Sequence, residues 1–185
     1  MIFNFFRKDP RRTVIALLFE RIATASRDPG LYGDLGIPDT LEGRFEALSL
    51  HMVLALRALR GLPSPADEVG RDLTDAFFRD LDASLREMGV GDTAVPKRMK
   101  KLGEAFYGRA RVYDAALNAT DEGELAVALG RNVMGLEPGA EAPARPLARY
   151  ALAADRAFKA SSLDTILEHG FTFPRPGSFT GEGTR

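Results

Sequence analysis

Two histidines, His51 and His169, and no cysteine are all that this 185-residue chain offers for imidazole or thiolate chemistry. Without cysteine there can be no disulfide, no thiolate nucleophile and no thiolate-held metal or cluster. His51 falls in the uncharged run Ala47 to Leu56, where a hydrogen-bonded core histidine is favoured over a base or a ligand. His169 follows Glu168 close to a helix end, a place where imidazole meets a favourable dipole. A di-metal helical bundle needs Glu-x-x-His pairs on facing helices, and the sequence contains none. Asp75, Asp80 and Asp82 do not form the Asp-Asp-x-x-Asp cluster that would hold magnesium diphosphate in a prenyl-transfer enzyme. Gly89-Val90-Gly91 is a lone Gly-x-Gly that follows a helical pattern instead of a strand, and neither a P-loop nor a nucleophile elbow occurs. The side chains point away from catalysis, and neither a cofactor nor a metal is expected.

The unusual chemistry is one of charge. From Leu73 to Gly91 a helical pattern is largely acidic, through Asp75, Asp80, Asp82 and Glu87 with Asp72 just before it. Its neighbour opens Pro96-Lys97-Arg98-Met99-Lys100-Lys101, four cations at the end of a helix whose dipole favours anions. Two readings stand side by side. The cations face the acids across a hairpin as exposed pairs, each contributing about 0–1 kcal/mol, or they form a surface for an acidic or phosphate-bearing partner. Phe78 and Tyr107 lie one position off the core stripes that carry Phe77 and Phe106, at the edge of each buried face, so they broaden the core or line a groove for an apolar helix.

These residues must be placed by helices. Val14, Leu17, Leu18, Ile22 and Ala25 recur at helical spacing after an Asp9-Pro10 start, and Asp28-Pro29-Gly30 ends that helix. Leu31 to Pro38 is expected as an ordered loop. A second helix, about Thr40 to Arg60, is apolar on several sides and belongs at the centre of a bundle. The acidic helix runs from about Ala66 to Met88. Gly89 is expected to adopt the left-handed conformation that stops it, Gly91 to permit the tight turn, and Asp92 or Thr93 to cap the basic helix that continues to about Asn118. Shorter helices follow from Asp121 through Val133, from about Leu147 to Ala160, and over Leu163 to Glu168. No stretch has the alternation and β-branched content of a strand, so the class is all-α, a single-domain irregular bundle of about six to seven helices.

Composition agrees: 45% hydrophobic and 28% charged residues are those of a globular domain, and a net charge of −1 argues against DNA as a partner. No uncharged apolar run approaches the roughly 20 residues of a spanning helix. Residues 1–8 read as an apolar and basic tip, in which Ile2, Phe3, Phe5 and Phe6 precede Arg7 and Lys8. That order is the reverse of a signal peptide; it suits a tail resting in an anionic membrane interface and equally one that packs on the domain. The helical domain is expected over residues 9–173. The last dozen residues, 174–185, are rich in Pro, Gly, Ser and Thr and read as a flexible tail. A cytoplasmic location, peripheral to the inner face of the cytoplasmic membrane if the tip meets lipid, follows from these features.

The hairpin resembles the ubiquinol-cytochrome c chaperone family. The likeness is carried by Asp75-Ala76-Phe77-Phe78-Arg79-Asp80-Leu81-Asp82, by Leu85-Arg86-Glu87-Met88-Gly89-Val90-Gly91-Asp92, by Val95-Pro96-Lys97-Arg98-Met99-Lys100 and by Ala105-Phe106-Tyr107-Gly108-Arg109. A weaker block spans Leu35-Gly36-Ile37-Pro38-Asp39-Thr40 and Gly43-Arg44-Phe45-Glu46. The resemblance implies a non-enzymatic helical chaperone, in this case a compact bacterial member, that binds newly made cytochrome b and promotes assembly of the ubiquinol-cytochrome c reductase complex. In mitochondrial members it implies work with a small partner near the ribosomal exit. Phe78, Asp82, Arg86, Lys97, Arg98, Lys100, Lys101, Tyr107 and Arg109 are the candidate client- or partner-binding residues. The rivals are a ribosome- or RNA-associated module using the four cations, and a helical carrier or enzyme for an apolar quinone, lipid or prenyl ligand.

Overall fold

The computed structural model describes residues 10–180. Among them are eight α-helices: α1 Pro10–Ala25, α2 Pro29–Gly33, α3 Leu41–Leu59, α4 Ala66–Glu87, α5 Val95–Ala119, α6 Glu122–Val133, α7 Arg145–Lys159 and α8 Leu163–His169. Six of the eight have 12 residues or more, and no strand occurs among the described residues. The all-α expectation holds. The N-terminal tip Ile2 to Lys8, and the cap at Asp9, lie outside the described residues.

Helix α3 is the axis of the bundle, packed by α1, α4, α5, α6 and α7. Its apolar residues on every side make this possible: Leu50, Met52 and Leu54 are all fully buried although they point in different directions. It starts at Thr40, whose side chain accepts the Gly43 N–H. Gly43 is buried because the chain doubles back upon it, and a Cβ there would lie 1.8 Å from the Pro38 carbonyl oxygen. Only glycine admits that approach.

Most polar groups of α3 are tied, the buried Ser49 hydroxyl being an exception. His51 Nδ1–H donates to the Ala47 carbonyl at 2.7 Å, which leaves Nε2 to accept from the Tyr150 hydroxyl of α7, also at 2.7 Å. Burial holds the imidazole well below its ordinary value, at about 4. His51 is therefore a neutral core histidine, as its sequence setting indicates. Because the unfolded state protonates more readily, the stability due to this group is complete above about pH 6.5 and falls by about 3 kcal/mol as pH drops towards 4. Urea unfolding at pH 7 and pH 4.5 measures this, and a His51→Leu protein should lose most of the slope.

Several local features differ from expectation. Asp28-Pro29-Gly30 does end α1, but the following residues form α2 in place of loop, since Asp28 caps it through the Gly30 N–H at 2.8 Å and Pro29 suits its first position. Leu17 is 52% exposed, because α1 turns Ile15, Leu18 and Ile22 to the core. Asp92 does not cap α5; Ala94 occupies that position without a side-chain bond, and Asp92 turns to Arg86 instead. Gly91 has no positive φ, whereas Gly89 has φ +78° as expected. Gly89 completes a Schellman stop on α4, with Val90 N–H donating to Leu85 and Gly89 N–H to Arg86.

The stretch 174–180, read as loose tail, packs against the bundle. Residues Pro176–Phe179 form a 3₁₀ turn with Pro176 buried, and Phe179 meets Tyr150 edge-on at 5.8 Å. Phe179 and the buried Pro176 among small residues give this segment more to bury than its composition suggests. Leu85 and Val95 are buried at the α4–α5 turn, yet stand apart from the contiguous core cluster.

Candidate functional site

The α4–α5 hairpin presents its candidates unevenly. Phe78 is half-buried, with its ring 5.9 Å from Phe106 and 6.1 Å from Tyr107, above the space left by Gly103. Tyr107 is 59% exposed. One edge of the expected groove is thus covered and the other open, since the small Gly103 lets the Phe78 ring lie down on α5.

The charged residues are not distributed as cross-hairpin pairs. Arg86 joins Asp82 of its own helix at 2.6 Å and also Asp92 beyond the turn. The acids Glu68 and Asp72 pair with Arg11 of α1, each at 2.6 Å. Lys97, Arg98 and Lys101 are exposed and make no ion pair among the described residues, and Lys100 reaches only Glu104 at 3.9 Å. Helix α5 has no acid in its first turn. Four cations thus stand at a positive dipole end with no carboxylate across the hairpin to offset them.

Arg109 is used differently. Its guanidinium clasps Glu46 of α3 through Nε at 2.8 and 2.7 Å and through Nη2 at 2.6 Å, and Glu46 is almost entirely buried. Burial pushes the Glu46 carboxyl up and Arg109 opposes it. Removing one member of such a pair leaves a buried charge alone, so Arg109→Ala should cost about 3–5 kcal/mol. The loss should appear as a lowered thermal midpoint by circular dichroism, with Lys101→Ala unchanged.

Sequence reasoning missed an apolar groove beside these cations. Leu41, Phe45 and Leu48 of α3, Leu81, Leu85 and Met88 of α4, and Leu102 of α5 surround a cavity of about 240 Å³. Leu41 at 56% exposure and Met88 at 47% form its lips. Arg27, Arg44 and Asp80 sit on the rim, and Arg98 lies one helical turn before Leu102 on the same stripe of α5. The signal was present: Leu41, Phe45 and Leu48 form an i, i+4, i+7 stripe that runs past the buried part of α3 to its capped end.

Among the described residues no group of His, Asp and Glu is arranged to hold a metal, and no helix is long and apolar enough to cross a membrane. His169 is exposed, 3.7 Å from Glu168. An open apolar groove, with Arg98, unpaired among the described residues, one helical turn from its Leu102 wall, marks a helical protein-binding domain. Comparison with known proteins supplies the family: the chain matches the Ubiquinol-cytochrome C chaperone family over residues 33–173 and belongs to it. A solved structure, described as the crystal structure of the Cbp3 homolog from Brucella abortus, superimposes with a TM-score of 0.80 at 37% identity, covering 90% of this chain and 91% of that one. No curated protein matches significantly.

Proposed function

We propose that this chain is a non-enzymatic assembly chaperone that binds newly synthesised cytochrome b and promotes assembly of the ubiquinol-cytochrome c reductase complex. Family membership supports the chaperone role, and the groove between α3, α4 and α5 carries the client reading. Its walls come from α3, α4 and α5, apart from Ser26 and Arg27 just past the end of α1. Side chains of helices present almost no unpaired backbone N–H or C=O groups to an occupant. A segment that satisfies its own backbone fits such a surface, and an apolar helix is the simplest segment that does so. Arg98, one turn before Leu102, extends that face, and Phe78, Tyr107, Lys97, Lys100 and Lys101 are further candidate contacts on the hairpin. Asp82, Arg86 and Arg109 support it by holding the hairpin and the α3–α5 contact. In this reading the domain works at the inner face of the cytoplasmic membrane, with the Ile2 to Lys8 tip as its lipid contact.

Gene deletion with a tagged rescue tests the proposal. Cytochrome b should co-isolate with the tagged chain, and assembled complex should fall several-fold in the deletion strain while its messenger stays constant. Normal levels of assembled complex in the deletion strain would reject it.

A further inference from the structure

A second surface lies on the other side of the end of α1 and shares no lining residue with the client groove. It is a cleft of about 550 Å³ between one face of α1, comprising Leu17, Glu20, Arg21 and Thr24, and the chain from His169 to Pro176. Tyr150 and Phe173 contribute to its aromatic wall. This wall is anchored in the core, since the Tyr150 hydroxyl is bonded to His51 and the Phe173 ring lies 4.6 Å from the His51 ring.

Two properties of the cleft have no account in the fold itself. First, residues 171–175 run without helix, turn or bend, and the backbone N–H groups of Phe171, Thr172 and Phe173 have no hydrogen-bond partner among the described residues. Their carbonyls are likewise unengaged. Unlike the exposed turn 91–93, whose N–H groups also lack a partner among the described residues, this stretch lines a cleft with Phe171 buried, so it is a short unpaired edge of the kind that takes up another extended chain. Second, Arg21 is set in place without a carboxylate. Its stem crosses Gly170 so closely that a Cβ there would lie 2.6 Å from Arg21 Cδ, and Gly170 has φ +74°. The Arg21 guanidinium makes no ion pair among the described residues, and neither does that of Arg175 at the far end of the edge. Of the acids lining the cleft, Asp28 is occupied in capping Gly30, which leaves Glu20 on the exposed outer face of α1.

We infer that this cleft binds an extended acidic peptide segment of a partner protein, which pairs its backbone with residues 171–173 and places carboxylates on Arg21 and Arg175. Leu17, exposed on the lip, takes an apolar side chain between them. The site is therefore complementary in kind to the client groove: one accepts a helix that has already closed its own hydrogen bonds, the other a strand that has not.

The test uses the full chain and a fluorescein-labelled heptapeptide, Asp-Val-Thr-Leu-Thr-Val-Asp. Two controls accompany it, one with Lys at both ends and one N-methylated at alternate residues. Anisotropy should give saturable binding of the acidic peptide, weaker by at least about tenfold for each control, a factor that corresponds to about 1.4 kcal/mol. Arg21→Met preserves the stem over Gly170 and should weaken binding about tenfold without lowering the thermal midpoint, as one charge-assisted contact implies. Amide exchange at 171–173 should slow on saturation. A protein carrying Leu41→Asp and Met88→Asp should bind the acidic peptide like wild type, which separates this site from the client groove. Absence of saturable binding, equal binding of all three peptides, or unaltered exchange at 171–173 would overturn the inference.

Discussion

Replacing both lips of the apolar groove, Leu41→Asp with Met88→Asp, is expected to reduce recovery of cytochrome b at least 100-fold in a pull-down while leaving the domain folded. Burying a large apolar side chain from full exposure contributes about 1.5–3 kcal/mol; Leu41 and Met88 are already about half covered, so the pair is expected to supply about 1.5–3 kcal/mol of client binding, and the two introduced carboxylates add a desolvation cost. The domain itself should barely register the change, because both residues are about half exposed and substitutions at such positions usually stay within about 0.5 kcal/mol. Position 41 even lies in the first turn of α3, where a carboxylate is favoured, and position 88 caps α4, where it is mildly disfavoured. Circular dichroism and in-cell crosslinking on the same protein give the answer. Undiminished client capture by a folded double variant would remove the groove from the mechanism.

A large effect on stability is also expected at Arg57, whose partners do not line that groove. Its side chain is 6% exposed and its guanidinium joins three helices: it bonds Asp155 of α7 at 2.9 Å, Asp114 of α5 at 2.9 Å and the Asn118 side chain at 3.0 Å. Lys159 and Arg60 complete the network from outside. Arg57→Ala would leave Asp155 with only Lys159 and Asp114 with only Arg60 in a largely buried setting, a loss approaching the roughly 3–5 kcal/mol of a broken buried pair. At this chain length that should lower the thermal midpoint by about 6–20 °C. The network also sets an acid limit. Burial alone would raise the Asp155 carboxyl, but hydrogen bonds from Arg57 and Lys159 outweigh it and hold the group below its usual range. Its contribution is therefore complete above the ordinary carboxylate value, about 3.9, and is lost as pH falls through the lower folded value. A melting midpoint for Arg57→Ala within 2 °C of wild type would show that the three helices do not depend on this hub.

Periodicity and capping made much of the architecture readable. Helix α3 announces its central position by being apolar on all sides, Thr40 and Asp121 cap where their side chains indicate, and Gly89 stops α4 in the left-handed conformation. The failures share a cause: they depend on what another segment does. Leu17 belongs to an apolar pattern but lies at the edge of α1, and the Phe179 segment looks unstructured until Tyr150 is placed beneath it. The same holds for the charges. Nothing local distinguishes Arg109, which grips Glu46 63 positions away, from Lys101, which grips nothing among the described residues. Arg57 gives no signal in its own helix at all, because its partners are supplied by α5 and α7.

Leu85, buried at the α4–α5 turn but outside the main core, leaves part of one wall of the proposed client groove less anchored than the α3 wall opposite. The opposite wall, on α3, belongs to the best anchored part. Elements with few core contacts open at low free energy while the rest of a domain stays closed. The groove therefore resembles a vice with one fixed and one sliding jaw. On the proposed function its width would follow the side chains it grips, so that one surface would hold successive apolar segments of a client and release each without unfolding the holder.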